Sequence, residues 1–252
     1  MKDNDKKRFD GLTFEDFRRL ACDPRLSAHE KVGFPNSYRE GREAAIFADT
    51  CRKLPNLQGS LRTVLEIGPG CSQLPAMLAM LCAKNGSRLL FVDSNEMLAL
   101  LPDGDHIAKY PGPFPAAMES DFASYIGKVD AIIAYSVVQY VFQEGNLWEF
   151  TDRCMQLLAP SGEILFGDIP NLSMRKRFMA SEGGLRFHRA FARDESLPEV
   201  HFNRLEPGMV DDSVVLGLIS RARAQGFHAW VVPQDASLPM ANRREDVIIK
   251  RP

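Results

Sequence analysis

The chain has 252 residues, of which 45% are hydrophobic and 25% are charged, with a formal net charge of −2. This length suits one large α/β domain with an added element, and the near-balanced charge gives no reason to expect a nucleic-acid or membrane partner. The charged beginning, MKDNDKKRFD, lacks the apolar run of a secretory signal, and no apolar stretch approaches the length of a membrane span. Five scattered cysteines outside any C-x-x-C pair are typical of reduced thiols, so we expect a cytoplasmic protein.

Residues 1–60 are predicted to form a helical cap. Ser37 and Glu40 have the spacing of a capping box before one long helix, YREGREAAIFADTCRKL. Tyr38 and Arg42 lie one turn apart and would share a face of that helix. They are candidate substrate contacts in a lid over the site, although a helix packed on a sheet with its polar face in solvent would give the same pattern.

Residues 61–170 alternate apolar, β-rich runs with helical patterns. Strands are predicted at TVLEI, RLLFVD, DAIIAY and EILFGD, with a weaker one at FPAAMES. Helices are predicted at LPAMLAMLCAKNG, SNEMLALL and NLWEFTDRCMQLLAP, so the segment consists of right-handed βαβ units around a parallel sheet. A further helix, DDSVVLGLISRARAQG, precedes the strands HAWVV and EDVIIK, which should form an antiparallel hairpin at the sheet edge.

The first strand runs into a glycine turn, VLEIGPGCSQLP. Gly68 and Gly70 permit a tight turn and a close approach of the backbone to a ligand. A triphosphate loop is excluded because no lysine follows, and a dinucleotide site would have a third glycine where Gln73 stands. Glu66, two residues before the first glycine, is poorly placed for a phosphate but suits an ammonium group.

Two further acids follow predicted strands. Asp93 ends the second strand, where a carboxylate can accept hydrogen bonds from a ribose diol, although it could also cap the next helix. Asp121, after the weak third strand, could receive the amine of adenine with Phe122 beside the ring, or could be a solvated loop residue. A ligand with an ammonium, a ribose, an adenine and no phosphate fits all three acids, and S-adenosylmethionine is such a ligand.

These segments resemble the class I S-adenosylmethionine-dependent methyltransferases. VLEIGPG, LLFVDSNEML, ESDF, VDAIIAYSVVQYV, LLAPSGEILFGD and the terminal hairpin occur in that family's order, across 61–170 and more loosely across 227–250. The resemblance implies an α/β fold, a Rossmann-like and mostly parallel seven-stranded sheet with helices on both faces and a C-terminal antiparallel hairpin. It also implies that S-adenosylmethionine is the cofactor, that S-adenosylhomocysteine is the product and that no metal is needed.

The resemblance assigns roles to individual residues. The loop from Glu66 to Gly70 would wrap the methionine part of the cofactor, Asp93 would bind its ribose, and Tyr135 and Ser136 would line the reacting centre. The complete predicted set of cofactor-binding residues is Glu66, Gly68, Gly70, Asp93, Ser94, Met97, Asp121, Phe122, Tyr135 and Ser136.

A basic stretch, SMRKRFMASEGGLRFHRAFAR, opens a predicted insert over 173–210. Arg186 and Arg189 could form an anion pocket, and His188 is the first candidate general base, with Asp168 as the second. A solvated basic helix face would account for the same residues. The runs GDIPN and RKRF loosely resemble a methyltransferase branch from bacterial surface-glycan pathways, which points to a sugar or nucleotide-sugar acceptor.

We therefore predict one compact domain, in which a cap over 1–60 precedes a methyltransferase domain over 61–252. The predicted activity is O- or N-methylation of a small, anionic or sugar-type acceptor. Two alternatives remain open, a non-catalytic protein that binds S-adenosylmethionine or a nucleoside, and a nicotinamide-dependent oxidoreductase. The sequence does not indicate an oligomeric state.

Overall fold

A seven-stranded sheet forms the core of the computed structural model, which describes residues 9, 11–116, 119–192, 196–204 and 206–252. The strands are β1 (Thr63–Ile67), β2 (Arg88–Asp93), β3 (Ile107–Pro111), β4 (Val129–Tyr135), β5 (Leu158–Pro170), β6 (His228–Pro233) and β7 (Arg244–Lys250). Their spatial order is β3-β2-β1-β4-β5-β7-β6. Strands β1 to β5 pair in parallel, whereas β7 is antiparallel to both β5 and β6. The predicted fold class, with its C-terminal antiparallel hairpin, is confirmed.

The central strands are apolar at nearly every position because both faces of the sheet are covered. Successive residues of a strand point to opposite faces, so Leu65 and Leu90 contribute to one buried cluster while Val64 and Leu89 contribute to the other. Burial on both sides leaves the strand ends as the places where polar side chains reach an accessible surface.

Helices cover the two faces and one end of this sheet. They are α1 (Phe14–Cys22), α2 (Ala28–Lys31), α3 (Asn36–Arg39), α4 (Glu43–Lys53), α5 (Gln73–Lys84), α6 (Asn95–Leu98), α7 (Glu119–Phe122), α8 (Val138–Glu144), α9 (Leu147–Leu157), α10 (Leu172–Met179), α11 (Glu182–Ala192) and α12 (Asp212–Ala224). Short 3-10 helices occupy Pro55–Gln58 and Ala123–Tyr125. Apolar residues of α5 join one core cluster, and those of α9 and α12 join the other. Across these described ranges, every helix is too short or too polar to cross a membrane.

The third strand lies earlier in the chain than the sequence predicts. β3 pairs with β2 from Leu89–Ile107 to Asp93–Pro111, and the described residues of FPAAMES lie outside the strands. Pro113 and Pro115 carry no N–H to donate to a neighbouring strand, which removes that segment from the sheet. Residues 117 and 118 of the predicted strand lie outside the described residues.

The long helix predicted after Ser37 is also wrong. Ser37 lies within α3 and Glu40 follows the end of that helix, so Ser37 is not the first residue before a longer helix. The chain turns through Gly41, at φ +74°, before α4 begins. The break means that Tyr38 and Arg42 do not share one helix face.

The N-terminal helices are held against the sheet by contacts at its carboxyl end. Arg18 of α1 makes two hydrogen bonds to Glu96 of α6, at 3.0 and 2.6 Å. The backbone N–H of Phe14 donates to Glu144 Oε2 at 2.9 Å. These contacts place α1 over the ends of the strands, while the division at residue 60 stays a prediction.

Candidate functional site

A cavity of about 490 Å³ lies between the carboxyl ends of β1, β2 and β4 and the N-terminal helices. Most of the predicted cofactor residues line it, namely Glu66, Gly68, Gly70, Asp93, Met97, Tyr135 and Ser136. The opposite wall comes from the N-terminal region, with Phe14, Phe17, Val32, Phe34 and Arg39. We call this cavity the crevice. Its position is the one at which open parallel sheets bind ligands.

The glycine turn after β1 brings backbone close to the crevice. Gly68 and Gly70 have φ values of +65° and +64°, a region that side chains other than glycine rarely adopt. A Cβ atom on Gly68 would lie 2.7 Å from Val137 Cγ2, and one on Gly70 would lie 2.5 Å from Val32 Cγ1. Both conformation and space therefore require glycine at these positions.

Glu66 is a buried carboxyl group that lines the crevice. Its side-chain atom Oε2 has no hydrogen-bond partner among the described residues. Burial, with a smaller contribution from the charge of Asp93, raises the pKa of Glu66 to about 8. An unpartnered buried oxygen is unfavourable, and a ligand that donates a hydrogen bond or carries a positive charge would satisfy it.

Asp93 connects the second strand to the glycine turn. Its Oδ1 accepts a hydrogen bond from the N–H of Ser94 at 2.7 Å, and its Oδ2 accepts one from the N–H of Gly70 at 3.3 Å. Burial raises the pKa of Asp93 to about 6, although these two amides lower it. Each oxygen keeps acceptor capacity toward the crevice, as recognition of a diol requires.

Ser94 is buried beneath the crevice rather than in its wall. Its hydroxyl accepts a hydrogen bond from the N–H of Met97 at 3.2 Å and so caps α6. Met97 lies on the first turn of that helix and reaches the crevice. Of this predicted pair, the structure places only Met97 against the ligand space.

Ser136 and Asp168 form a buried polar cluster below the crevice. The Ser136 hydroxyl donates to Asp168 Oδ2, which also accepts from Arg39 Nη2 at 2.6 Å and from Arg244 Nη1 at 2.8 Å. Arg39 Nη2 also donates to the Ser136 hydroxyl. The other oxygen of Asp168 accepts from Gln234 at 3.3 Å. Asp168 is thus a buried ion-pair partner of two arginines, and its role as the second candidate general base stays a prediction.

Among its described residues, the insert contributes none to the lining of the crevice. His188 lies on α11 and lines a second cavity of about 400 Å³, where its Nε2 is 3.1 Å from Ser196 Oγ. Arg186 and Arg189 are exposed on the same helix, and Arg186 pairs with Glu182 at 3.8 Å. The prediction that these residues face the crevice is wrong, because α11 packs on α10 instead of folding back over the sheet.

Asp121 and Phe122 do not line the crevice either. Phe122 is buried among aromatic rings, with ring centroids 4.9 Å from Tyr110 and 5.6 Å from Tyr125, and Asp121 is exposed on α7. The earlier position of β3 accounts for this difference, since the segment that follows that strand into the crevice is the loop over 112–116.

The N-terminal side of the crevice contains residues that the sequence analysis missed. The guanidinium of Arg39 lies 3.9 Å above the ring of Phe34 and 5.6 Å from that of Tyr135. Arg39 stands next to the predicted Tyr38, whereas Arg42 is exposed after the break in the helix. The aromatic residues of the N-terminal region gave a signal for packing, but nothing in their spacing indicated which ring would face a ligand.

The fold is similar to those of several solved methyltransferase structures. A structure of the plantazolicin methyltransferase BpumL, in complex with a triazolic desmethylPZN analog and SAH, aligns with 98% of this chain and 99% of its own, with a TM-score of 0.58 and 12% identity. The CurJ carbon methyltransferase aligns with 98% of this chain and 66% of its own, with a TM-score of 0.52 and 16% identity. The methyltransferase domain of bacterial CtHen1-C aligns with 83% of this chain and 96% of its own, with a TM-score of 0.52 and 14% identity. The TM-scores show a similar fold, and at these identities the similarity concerns the fold alone.

Similarity in sequence is more limited. Chondramide synthase cmdD of Chondromyces crocatus is 30% identical over 119 residues, which are 46% of this chain and 3% of the synthase. The chain thus spans a small fraction of the curated relative that it matches. No protein-family model matches the chain. Within the described ranges, no group of three or more His, Cys, Asp or Glu side chains could hold a metal ion.

Proposed function

We propose that the protein is an S-adenosylmethionine-dependent methyltransferase whose cofactor occupies the crevice. The observation that carries the proposal is Glu66, a buried carboxyl group with an unpartnered oxygen in the wall of the crevice, next to a turn that only glycine can form. The α-ammonium group of the cofactor supplies the partner that this oxygen lacks. The fold shared with BpumL, whose structure contains SAH, supports the same ligand.

Other lining residues suit the remaining parts of the cofactor. Asp93 accepts the ribose diol, and Met97 packs beside the adenine. Both side-chain hydrogen bonds of Arg39 to described residues use Nη2, so Nε and Nη1 remain as donors within that part of the chain. The guanidinium of Arg39 suits the cofactor's carboxylate. Arg39 and Glu66 together would then bind both charged groups of the cofactor's amino-acid part.

The proposed reaction is methyl transfer between a cofactor and an acceptor that are both held in the crevice. The cofactor supplies an electrophilic methyl group on a sulfonium, and transfer needs in-line alignment with a nucleophilic atom of the acceptor. Phe14, Phe17 and Phe34 give the crevice apolar walls, and holding the reactants together there would account for much of the acceleration in such a reaction. We propose a small, anionic or sugar-type acceptor methylated on oxygen or nitrogen.

A non-catalytic binding protein is the second candidate. It is favoured by the position of His188, since the predicted base lies in a different cavity from the candidate cofactor residues. A transfer to a sufficiently nucleophilic acceptor needs no base, so the same observation is compatible with an enzyme.

Calorimetric titration with S-adenosylhomocysteine tests the crevice assignment, and NADH serves as the matched nucleotide control. Binding of the first ligand without the second is expected. A screen of small carboxylated, phosphorylated and sugar acceptors, read out as formation of S-adenosylhomocysteine, separates the enzyme from the binding protein. Absence of S-adenosylhomocysteine binding by the folded protein would contradict both candidates.

A further inference from the structure

The insert encloses the second cavity, of about 400 Å³, which we call the insert cavity. Its walls come from α10, from His188 of α11 and from the chain over 198–206. The α10 residues in its lining are spaced three or four apart and so share one helix face, and they are Leu172, Arg175, Lys176 and Met179. No described residue lines both this cavity and the crevice. A ligand of the insert cavity would therefore be held apart from the candidate cofactor residues.

Contacts between separate elements join the walls of the insert cavity. Lys176 Nζ of α10 donates to the carbonyl of Arg204 at 3.0 Å and pairs with Glu206 at 3.0 Å, and the lysine side chain is only 11% exposed. On the other side, His188 Nε2 of α11 lies 3.1 Å from Ser196 Oγ. The chain over 196–206 is thus attached to both helices, and the cavity does not depend on one loop alone.

The carboxylates in the lining have partners within the cavity wall. Among the described lining residues the acids are Glu199 and Glu206, and Glu206 pairs with Lys176. Glu199 Oε1 lies 2.7 Å from His201 Nε2. This contact is the largest of the effects that lower the pKa of Glu199, and the charge of Arg204 contributes further. Both acids therefore already have a basic partner.

Two arginines of the lining have donors to spare. Within the part of the chain that the structure describes, the guanidinium groups of Arg175 and Arg204 make no hydrogen bond and no ion pair. Together with Lys176 they bring three positive charges against the two carboxylates, although the whole chain has a formal net charge of −2. The insert cavity is thus a basic place on a slightly acidic chain, and it favours an anion.

The lining also offers apolar surface beside these cations. Leu172 and Met179 of α10 contribute to it, together with Val200 from the opposite wall. The planar fork of a guanidinium matches carboxylate and phosphate oxygens, and apolar lining with a few polar groups is typical of small-molecule sites. We propose that the insert cavity is a second ligand site, in which Arg175 and Arg204 bind a small organic oxyanion, a carboxylate or a phosphate monoester.

The test uses phenyl phosphate and benzoate as probes on the whole chain, with benzyl alcohol as the uncharged control. Binding is followed by NMR titration at constant ionic strength, with chloride as the balancing anion. We expect one or both anions to bind more tightly than benzyl alcohol, and the preferred anion identifies the ligand class. Arg175→Gln and Arg204→Gln should each weaken that anion roughly tenfold or more. Arg186→Gln removes the same charge from an exposed position of α11 outside the lining, and should behave as the wild type.

Three results would overturn this site. They are no binding of either anion, equal binding of benzyl alcohol, and equal weakening by all three variants, which would indicate a general effect of charge. Repeating the titration with saturating S-adenosylhomocysteine separates the two cavities. We expect the dissociation constant of the anion to be unchanged, and competition between the two ligands would place the probe in the crevice and also overturn the site.

The same titrations distinguish this site from the proposed function. If the wild type binds the anion through Arg175 and Arg204 but does not bind S-adenosylhomocysteine, the insert site stands and the methyltransferase proposal is contradicted. If S-adenosylhomocysteine binds and the anions do not, the insert site is overturned alone. Circular dichroism of each variant verifies that it is folded.

Discussion

Ser136 and Asp168 contact each other at the carboxyl ends of two adjacent strands, and both have left-handed backbone conformations. Their φ values are +60° and +56°, and their side chains share a hydrogen bond. The preceding residues, Tyr135 and Gly167, are paired in register between β4 and β5. Residues other than glycine adopt this conformation at a cost, so the surrounding contacts must hold it in place. Arg39 supplies part of that support because it donates to both side chains.

The first prediction concerns the stability of this cluster. Asp168→Asn keeps the shape and leaves the guanidinium groups of Arg39 and Arg244 buried without their carboxylate. The free energy of unfolding should fall by about 3–5 kcal/mol, as measured by chemical denaturation. Asp103→Asn is the control, because Asp103 is an exposed partner of Lys109 and its removal should cost less than about 1 kcal/mol. Equal effects of the two variants would contradict the role of the cluster.

The second prediction concerns Asp93. Asp93→Ala removes the acceptor for the ribose diol and should weaken S-adenosylhomocysteine binding by about 1.5–3 kcal/mol, roughly tenfold or more. Calorimetry measures the dissociation constant. Asp121→Ala removes an exposed carboxylate outside the crevice and should leave that constant unchanged. An unaltered affinity in a folded Asp93→Ala protein would refute the ribose assignment.

The third prediction concerns the proton that is released when a ligand binds. Glu66 is largely protonated at pH 7, because burial raises its pKa to about 8. A ligand ammonium favours the ionised form, so S-adenosylhomocysteine should release a proton on binding and bind more tightly as the pH rises from about 6 to 7.5. Calorimetry in buffers of different ionisation enthalpy counts the proton. Adenosine lacks the ammonium and should release none through Glu66, and Glu66→Gln should abolish the release seen with the amino-acid ligand. Equal proton release by both ligands would contradict this pairing.

The fourth prediction concerns the ligand-free protein. The pKa of Glu66 is raised from 4.5 to about 8, so the folded state binds more protons than the unfolded state between these values. The free energy of unfolding should therefore be greatest below pH 4.5, as far as Glu66 is concerned, and fall by a few kcal/mol as the pH rises to about 8. Asp93, raised from 3.8 to about 6, acts in the same direction. Denaturation across this range should show a shallower fall for Glu66→Gln, and parallel curves would argue against the shifted pKa.

The fifth prediction concerns the glycine turn. Gly68→Val places a branched side chain where Val137 already lies within 2.7 Å of a Cβ, at a φ of +65°. We expect loss of S-adenosylhomocysteine binding with retention of helix content by circular dichroism. Gly226→Ala is the control, because it has positive φ but open space around the Cβ position, far along the chain from the crevice. Tight binding by Gly68→Val would show that the turn does not approach the ligand.

The sequence predicts this fold well where one local signal dominates. Apolar runs such as TVLEI and RLLFVD coincide with β1 and β2, because a short run that is apolar at almost every position is typical of a strand covered on both faces. IAKYP is half polar and partly buried at the sheet edge, so its pairing with β2 depends on the neighbouring strand rather than on its own pattern. Because the third strand was predicted too late in the chain, Asp121 and Phe122 were predicted to lie at the end of that strand, which is not where the structure places them.

The acceptor side of the site was harder to predict for a similar reason. Glu66, Gly68, Gly70 and Asp93 lie at the ends of strands whose order follows from chain topology. Arg39 reaches Asp168 across 129 residues of sequence, and a turn at Gly41 decides its orientation. Contacts of this kind depend on how separate elements pack, and no spacing within one helix encodes them.

The enclosure of the crevice by α1 has a consequence for ligand exchange. Phe14 and Phe17 form part of its wall, and α1 is held to the sheet end through the ion pair of Arg18 with Glu96. A ligand bound in the crevice would lie against α1, so loosening of this ion pair would weaken one wall of its site. Salt screens partly exposed ion pairs. Raising the salt concentration should therefore shorten the residence time of a bound ligand.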